Sequence, residues 1–226
     1  MRDGGAEADH RVLASMTPIV LIGGGGHAKV VAAIVNRTGR YRIIGYTAPT
    51  EASAPWGFPY LGGDEVLPGC AASGRAKCAV LAIGIVDLIH DRAAIERRLL
   101  ANGFALPSII SPDAMSYGDV AVGDGTVVMA GVVLNPGARI GACSIVNTNA
   151  TVEHDCIVGA YSHVAPGAVL CGGVSVGSRC IIGAQACVLP GCSIADRCIV
   201  GAGATVTRDL TEAGVYVGSP ARRIRA

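Results

Sequence analysis

Histidine is scarce in this chain, five among 226 residues, and one of them stands between two carboxylates in the stretch Val152-Glu153-His154-Asp155-Cys156. Imidazole is the side chain that titrates near neutral pH, so His154 can take a proton from a nucleophile and return it later. A carboxylate beside it can hold one ring nitrogen and stabilise the charged ring. The spacing does not say whether Glu153 or Asp155 does so, and the competing structural role is a histidine that merely caps a turn. A second motif, Gly23-Gly24-Gly25-Gly26-His27-Ala28, fits G-x-G-x-x-A. Glycines there permit a tight turn and close ligand approach, and N–H groups at the helix start attract phosphate. A dinucleotide fold would also carry an acid at the end of its second strand, about 20 residues on. The chain instead reads Gly45-Tyr46-Thr47-Ala48, with Glu51 the nearest acid. NAD is therefore disfavoured, and simple helix–sheet packing is the alternative use of the glycines.

Composition excludes several classes. With 18 Lys+Arg against 17 Asp+Glu the formal charge is +1, and aromatics make up 4%. Neither a field for duplex phosphates nor a stacking platform for single strands is present, so no nucleic acid partner is expected. No apolar run reaches the ~18 residues that cross a bilayer, and Met1 to Met16 lack an apolar signal core, so a cytoplasmic protein without membrane insertion is expected. The nine Cys include no CxxC pair. An odd number without a signal segment reads as small buried hydrophobes rather than disulfides.

The elements that must position these groups follow from the pattern. Counting in sixes from Val122 to Val206, fifteen of fifteen positions are Val, Leu or Ile. Two residues before each, the chain is small or β-branched, as at Thr126, Ala138, Ser144, Ala150, Cys156, Ser162, Ala168, Cys180, Ala186, Cys192, Cys198 and Ala204. This is the signature of a solenoid in which each hexapeptide is one short strand with its aliphatic residue turned inward, three faces closing a coil. The fifteen hexads make five coils. Gly123, Gly141, Gly159, Gly177, Gly183 and Gly201, each directly after an aliphatic grid residue, are expected to free the backbone at the corners. His154 falls two residues after the inward Val152, at a corner, where its ring can face outward. The repeat holds only His154 and His163, too few for a three-histidine zinc site, so no metal is predicted.

Before the repeat, IVLIG, a helical segment His27 to Gly39 and YRIIGYT read as a βαβ start, with further strands at Phe58 to Leu61 and Cys78 to Gly84 and a charged helix from about Asp87 to Asn102. The expected organisation is an extension over 1–17, with Met16 as a possible alternative start, a small α/β half-Rossmann domain over 18–107 able to hold one nucleotide, and an all-β parallel β-helix with a C-terminal tail over 108–226. His10 and His90 are not site candidates.

The combination IGGGGHAKV, LAIG at 81–84, NTNATVEHDCIVGAYSHVAPGAVLCGGVSVG and the terminal VGSPARRI resembles the NeuD/PglD/PerB-type sugar acyltransferases of the hexapeptide-repeat class, over nearly all of 18–226. The resemblance implies a left-handed β-helix, a homotrimer with acetyl-CoA in the cleft between neighbouring helices, and transfer of acetyl to a nucleotide-linked 4-amino-sugar for surface-glycan synthesis. Sugar O-acetylation, as on sialic acid, is the rival reading, and a non-catalytic hexapeptide scaffold a third. It implies His154 as general base with Asp155 as its favoured partner. His163, Gly172, Ala184 and Ala202 become acetyl-CoA-binding positions, and Asn147 a sugar contact. The nucleotide-sugar is assigned to Gly25, Gly26, His27, Thr47, Ala48 and Gly84. Several family members carry Asp at one or both of the positions held here by Thr47 and Ala48. Arg222, Arg223 and Arg225 are either contacts for CoA phosphates or a solvated tail.

Overall fold

The computed structural model describes residues 16–51, 57–86 and 91–225. The expected extension, except Met16 and Thr17, lies outside them, as do His10 and His90. The chain divides into two compact units: 1–83 with 98–106, and 84–97 with 107–226.

The first unit is built on a parallel sheet of β1 (Thr17–Ile22), β2 (Tyr41–Thr47), β3 (Tyr60–Gly62) and β4 (Cys78–Leu81), in the order β3-β2-β1-β4. Ile19 to Ile22 in the central β1 are buried to within 1% of completely, as a continuous apolar run in a parallel sheet should be. Helix α1 (Gly26–Thr38) buries Ala28, Val31, Ala32 and Val35, one face at helical spacing, and ends at Gly39 with φ 63°. The short helix α2 (Leu67–Ala72), begun by a 3-10 turn over Asp64–Val66, has too few residues to show a period and is not apparent in the sequence.

The second unit is a three-sided parallel β-helix. Seventeen short strands run from β5 (Ile109–Ile110) to β21 (Thr205–Val206), and residues eighteen apart pair, as in Val127, Ile145, His163 and Ile181. Two strands therefore precede the fifteen hexads. They escape the pattern because Ser116 is not aliphatic and breaks the grid before it reaches Ile110, yet Ile109 N–H still donates to the Thr126 carbonyl and Met115 N–H to that of Val132. Of the fifteen grid residues, the fourteen from Val128 to Val206 are buried, as are most small residues two places earlier.

One corner carries a polar ladder inside the coil: Thr126, Ser144, Ser162, Cys180 and Cys198. The Ser144 hydroxyl accepts the Ser162 N–H and donates to the Gly159 carbonyl, and the Ser162 hydroxyl accepts the Cys180 N–H and donates to that of Gly177. Burial pushes the Cys180 thiol up to about 12, keeping it a neutral donor to the Ala195 carbonyl.

The expected role of the corner glycines needs correction. Gly123, Gly141, Gly159, Gly177, Gly183 and Gly201 do not have positive φ. Left-handed backbone recurs instead every six residues at 125, 131, 137 and onward to 203, and seven of those sites hold non-glycines, among them Asn149, Asp155 and Tyr161. The grid-following glycines serve close stacking: a Cβ on Gly141 would lie 2.5 Å from the Ala160 nitrogen of the next coil, and one on Gly183 2.5 Å from that of Ala202.

The unit boundary also differs from the expected 18–107 division, because 84–97 is bonded to the solenoid. Arg92 Nε donates to the Cys143 carbonyl, Tyr161 hydroxyl to Glu96, and Arg179 pairs with Asp91. Helix α3 (Arg92–Ala101) supplies these groups from its first turns and the residue before it. Beyond the repeat, β22 (Gly214–Val217) and β23 (Arg222–Arg225) form an antiparallel pair on the sheet that contains β5. Among the described residues, no helix is long and apolar enough to cross a membrane.

Candidate active site

His154 occupies the corner between β12 (Thr151–Val152) and β13 (Ile157–Val158). The corner is clamped from both sides: Asp155 N–H donates to the Pro136 carbonyl of the preceding coil, and Gly173 N–H to the His154 carbonyl from the following one. Asp155 adopts φ 60°, a conformation that Asp tolerates better than most side chains. This places its carboxylate beside the preceding imidazole, with His154 Nδ1 and Asp155 Oδ2 2.9 Å apart.

A carboxylate can only accept, so Nδ1–H donates and the lone pair is left on Nε2. The two side chains are 63% and 74% exposed, open to a substrate. Asp155, not Glu153, thus holds the ring. Two glycines make room: a Cβ on Gly137 would lie 2.6 Å from Asp155 Oδ1, and one on Gly172 2.4 Å from His154 Nε2.

His163 and Asn147 form a second cluster. His163 is 8% exposed, with Nδ1 2.6 Å from the Ile85 carbonyl and Nε2 3.0 Å from Asn147 Nδ2. The carbonyl accepts, so Nδ1 carries the proton. Asn147 Oδ1 already accepts the Thr148 N–H at 2.7 Å, so its NH₂ faces the histidine and donates to an unprotonated Nε2. The ring is neutral, and burial holds its pKa below the usual histidine value, the Ile85 bond opposing and the Arg92 charge assisting. Both ring nitrogens are engaged within the chain.

Of the positions assigned in the solenoid, His163 lies within strand β14 (His163–Val164), and the others fall on two corner columns that bound one face. Asn147, Ala184 and Ala202 lie on the corner that leads into the sheet containing β12, and His154 and Gly172 on the corner that leaves it. Between them runs the outward row Thr151, Val169, Cys187 and Thr205. At the chain's end Arg223 is bonded to Glu212 and to the Ala213 carbonyl. Among the described residues no group of three or more His, Cys, Asp and Glu is placed to hold a metal.

In the first unit the glycine turn sits against the end of β2. Gly23 N–H donates to the Thr47 carbonyl, and a Cβ on Gly24 would lie 2.7 Å from the Tyr46 ring and 3.4 Å from the Ala48 Cβ. Gly25 and Gly26 have open space above them, and α1 begins there with no side-chain cap and no acid in its first turn. Its leading N–H groups therefore suit an anion. Gly25, Gly26, His27, Thr47 and Ala48 all belong to this unit, and Gly84 to the other.

One group that sequence reasoning missed is Asp64. Its Oδ1 accepts the Thr47 hydroxyl at 2.8 Å and its Oδ2 pairs with Arg98. A carboxylate thus stands beside Thr47 after all, delivered through space from seventeen residues on, which no spacing rule reports.

The chain matches two family models: the PglD N-terminal domain over residues 18–88, and the six-repeat bacterial transferase hexapeptide over 173–208, which marks the solenoid as the left-handed β-helix of that class. Among solved structures it is similar to PerB from Caulobacter crescentus in complex with CoA and GDP-perosamine, with 38% identity over 92% of this chain and 97% of that one and a TM-score of 0.84. A histidine-to-alanine variant of that GDP-perosamine N-acetyltransferase, also with CoA and GDP-perosamine, gives 39% identity over the same shares and 0.85. The acetyltransferase domain of PglB from Neisseria gonorrhoeae, in complex with acetyl coenzyme A, gives 32% over 92% of this chain and all of that one, with a TM-score of 0.85.

Proposed function

The chain belongs to the PglD/PerB-type hexapeptide acetyltransferases, and from that premise we propose that it transfers the acetyl group of acetyl-CoA to the amine of a nucleotide-linked 4-amino-4,6-dideoxyhexose. The observation that carries this reading is the exposed imidazole of His154, held by Asp155 so that Nε2 presents a lone pair.

The substrate amine, bound as its neutral form, attacks the thioester carbonyl. His154 Nε2 takes the proton that the nitrogen sheds as the C–N bond forms. The tetrahedral intermediate collapses with cleavage of the C–S bond, and the imidazolium returns its proton to the leaving sulfur. Asp155 keeps the ring in the tautomer this needs and stabilises the imidazolium. Ala184 and Ala202 on one edge and Gly172 on the other flank the face on which the pantetheine arm lies in this reading. With both His163 ring nitrogens and the Asn147 amide engaged, His163 and Asn147 support the arm and the sugar as a fixed wall, by backbone and ring edge. The glycine turn and the start of α1 take the nucleotide phosphates, with Thr47 and Ala48 beside them. Similarity to the GDP-perosamine enzyme favours a GDP-linked sugar and an amine acceptor over a hydroxyl. The working form is a homotrimer in the cytoplasm, serving surface-glycan assembly.

Mixing the protein with acetyl-CoA and GDP-, UDP-, dTDP- or CMP-linked amino sugars and following free thiol tests this directly. The reading expects an N-acetylated product with the GDP-linked amine. No transfer to any of these amines, or transfer only to hydroxyl acceptors, contradicts it.

A further inference from the structure

We propose that Gly172 is the seat of the catalytic imidazole, a positioning residue whose missing side chain sets where the His154 base stands; this deepens the acetyltransferase reading and rests on it. A Cβ built on Gly172 would lie 2.4 Å from His154 Nε2, 2.6 Å from Cε1 and 3.1 Å from Cδ2. These atoms form the ring edge that carries the basic lone pair. The position is eighteen residues on from His154, so it lies directly over it in the next coil, and Gly173 N–H ties the two coils together at the His154 carbonyl.

The ring is 63% exposed, so few contacts fix it. Asp155 sets its tautomer, and the bare α-carbon of Gly172 sets its height. At 2.4 Å from Nε2 a side chain there pushes the ring off Asp155.

Backbone freedom is not what the glycine supplies, because its φ lies outside the left-handed region, unlike Gly173 at +70°. Alanine is therefore compatible with the main chain, and the clash falls on the end of an exposed side chain that can yield. A Gly172→Ala variant should fold as well as the wild type, since such a replacement also restricts the unfolded chain. What it changes is the base. Misplacing a reacting group by about 1 Å can cost ~10²-fold in rate.

The test compares wild type and Gly172→Ala in three measurements. The thermal midpoint is expected to be unchanged or slightly raised. kcat should fall at least about tenfold with little change in KM for acetyl-CoA, since the loss is in the chemical step. In the free protein, ¹⁵N-imidazole spectra should show the Nδ1–H tautomer of His154 in the wild type and its loss in the variant. An unchanged tautomer, or a raised KM with kcat intact, overturns the proposal and leaves Gly172 only its contact with the pantetheine arm. If the wild type transfers no acetyl group, the acetyltransferase reading fails, but the tautomer comparison still decides whether Gly172 seats the ring.

Discussion

At the scale of single residues, two imidazoles in one solenoid face opposite fates because their surroundings differ. His154 stands in solvent with one nitrogen committed to a carboxylate, and His163 is buried with both nitrogens spent on amide groups. Asp155→Asn should lower kcat by about 10²-fold or more at wild-type stability, because an amide can accept or donate and no longer dictates the tautomer. Glu153→Gln should leave kcat near wild type, since the Glu153 carboxylate does not hold the ring; steady-state kinetics on both variants checks this. His163 governs stability instead. Its pKa is lowered in the fold from an ordinary 6.5, so the unfolded chain binds the proton more readily. The stabilisation is complete above about pH 6.5 and is lost as pH falls from there through the lower folded value. Thermal midpoints between pH 7.5 and 5 should therefore fall more for wild type than for His163→Gln. His154 and its acidic neighbours stood out in the sequence because their types announce chemistry. Asp64 did not, since only folding brings it to Thr47, and the resemblance names Gly172 without its packing against the His154 ring.

At the scale of elements, the hexapeptide is legible because its physical cause is strictly local. Every sixth side chain must enter a narrow interior, so Val152, Val158, Val164 and Leu170 announce themselves without any knowledge of the coil. What happens at the corners is less legible. Left-handed backbone falls on Cys143, Asn149, Asp155 and Tyr161 as well as on glycines, so glycine placement alone misreports where the turns are strained. The glycines that follow the grid answer to the coil above, a relation eighteen residues long that a six-residue period hides. Gly141→Ala should accordingly cost about 1–3 kcal/mol in urea unfolding, because its Cβ meets main-chain atoms that cannot step aside. That loss contrasts with the neutral effect on stability expected at Gly172, where the obstructed atoms belong to an exposed ring.

At the scale of the whole molecule, each inner coil bonds to its two neighbours, and the His154 corner is tied to both. The segment 84–97 belongs to the solenoid through Arg92, Glu96 and the Ile85 carbonyl, and sequence could not show this because the bonds run from a short helix and from Ile85 ahead of it to residues 50 or more positions away. Light scattering should give a mass three times that of the 22.7 kDa chain; a monomer with full activity would remove the need for a cleft between copies. Whether His154 Nε2 is the base is decided by kcat for His154→Ala beside wild type with acetyl-CoA and the accepted amino sugar. With thermal unfolding unchanged, kcat should fall by about 10²- to 10⁴-fold. A variant that turns over within a few-fold of wild type would contradict it.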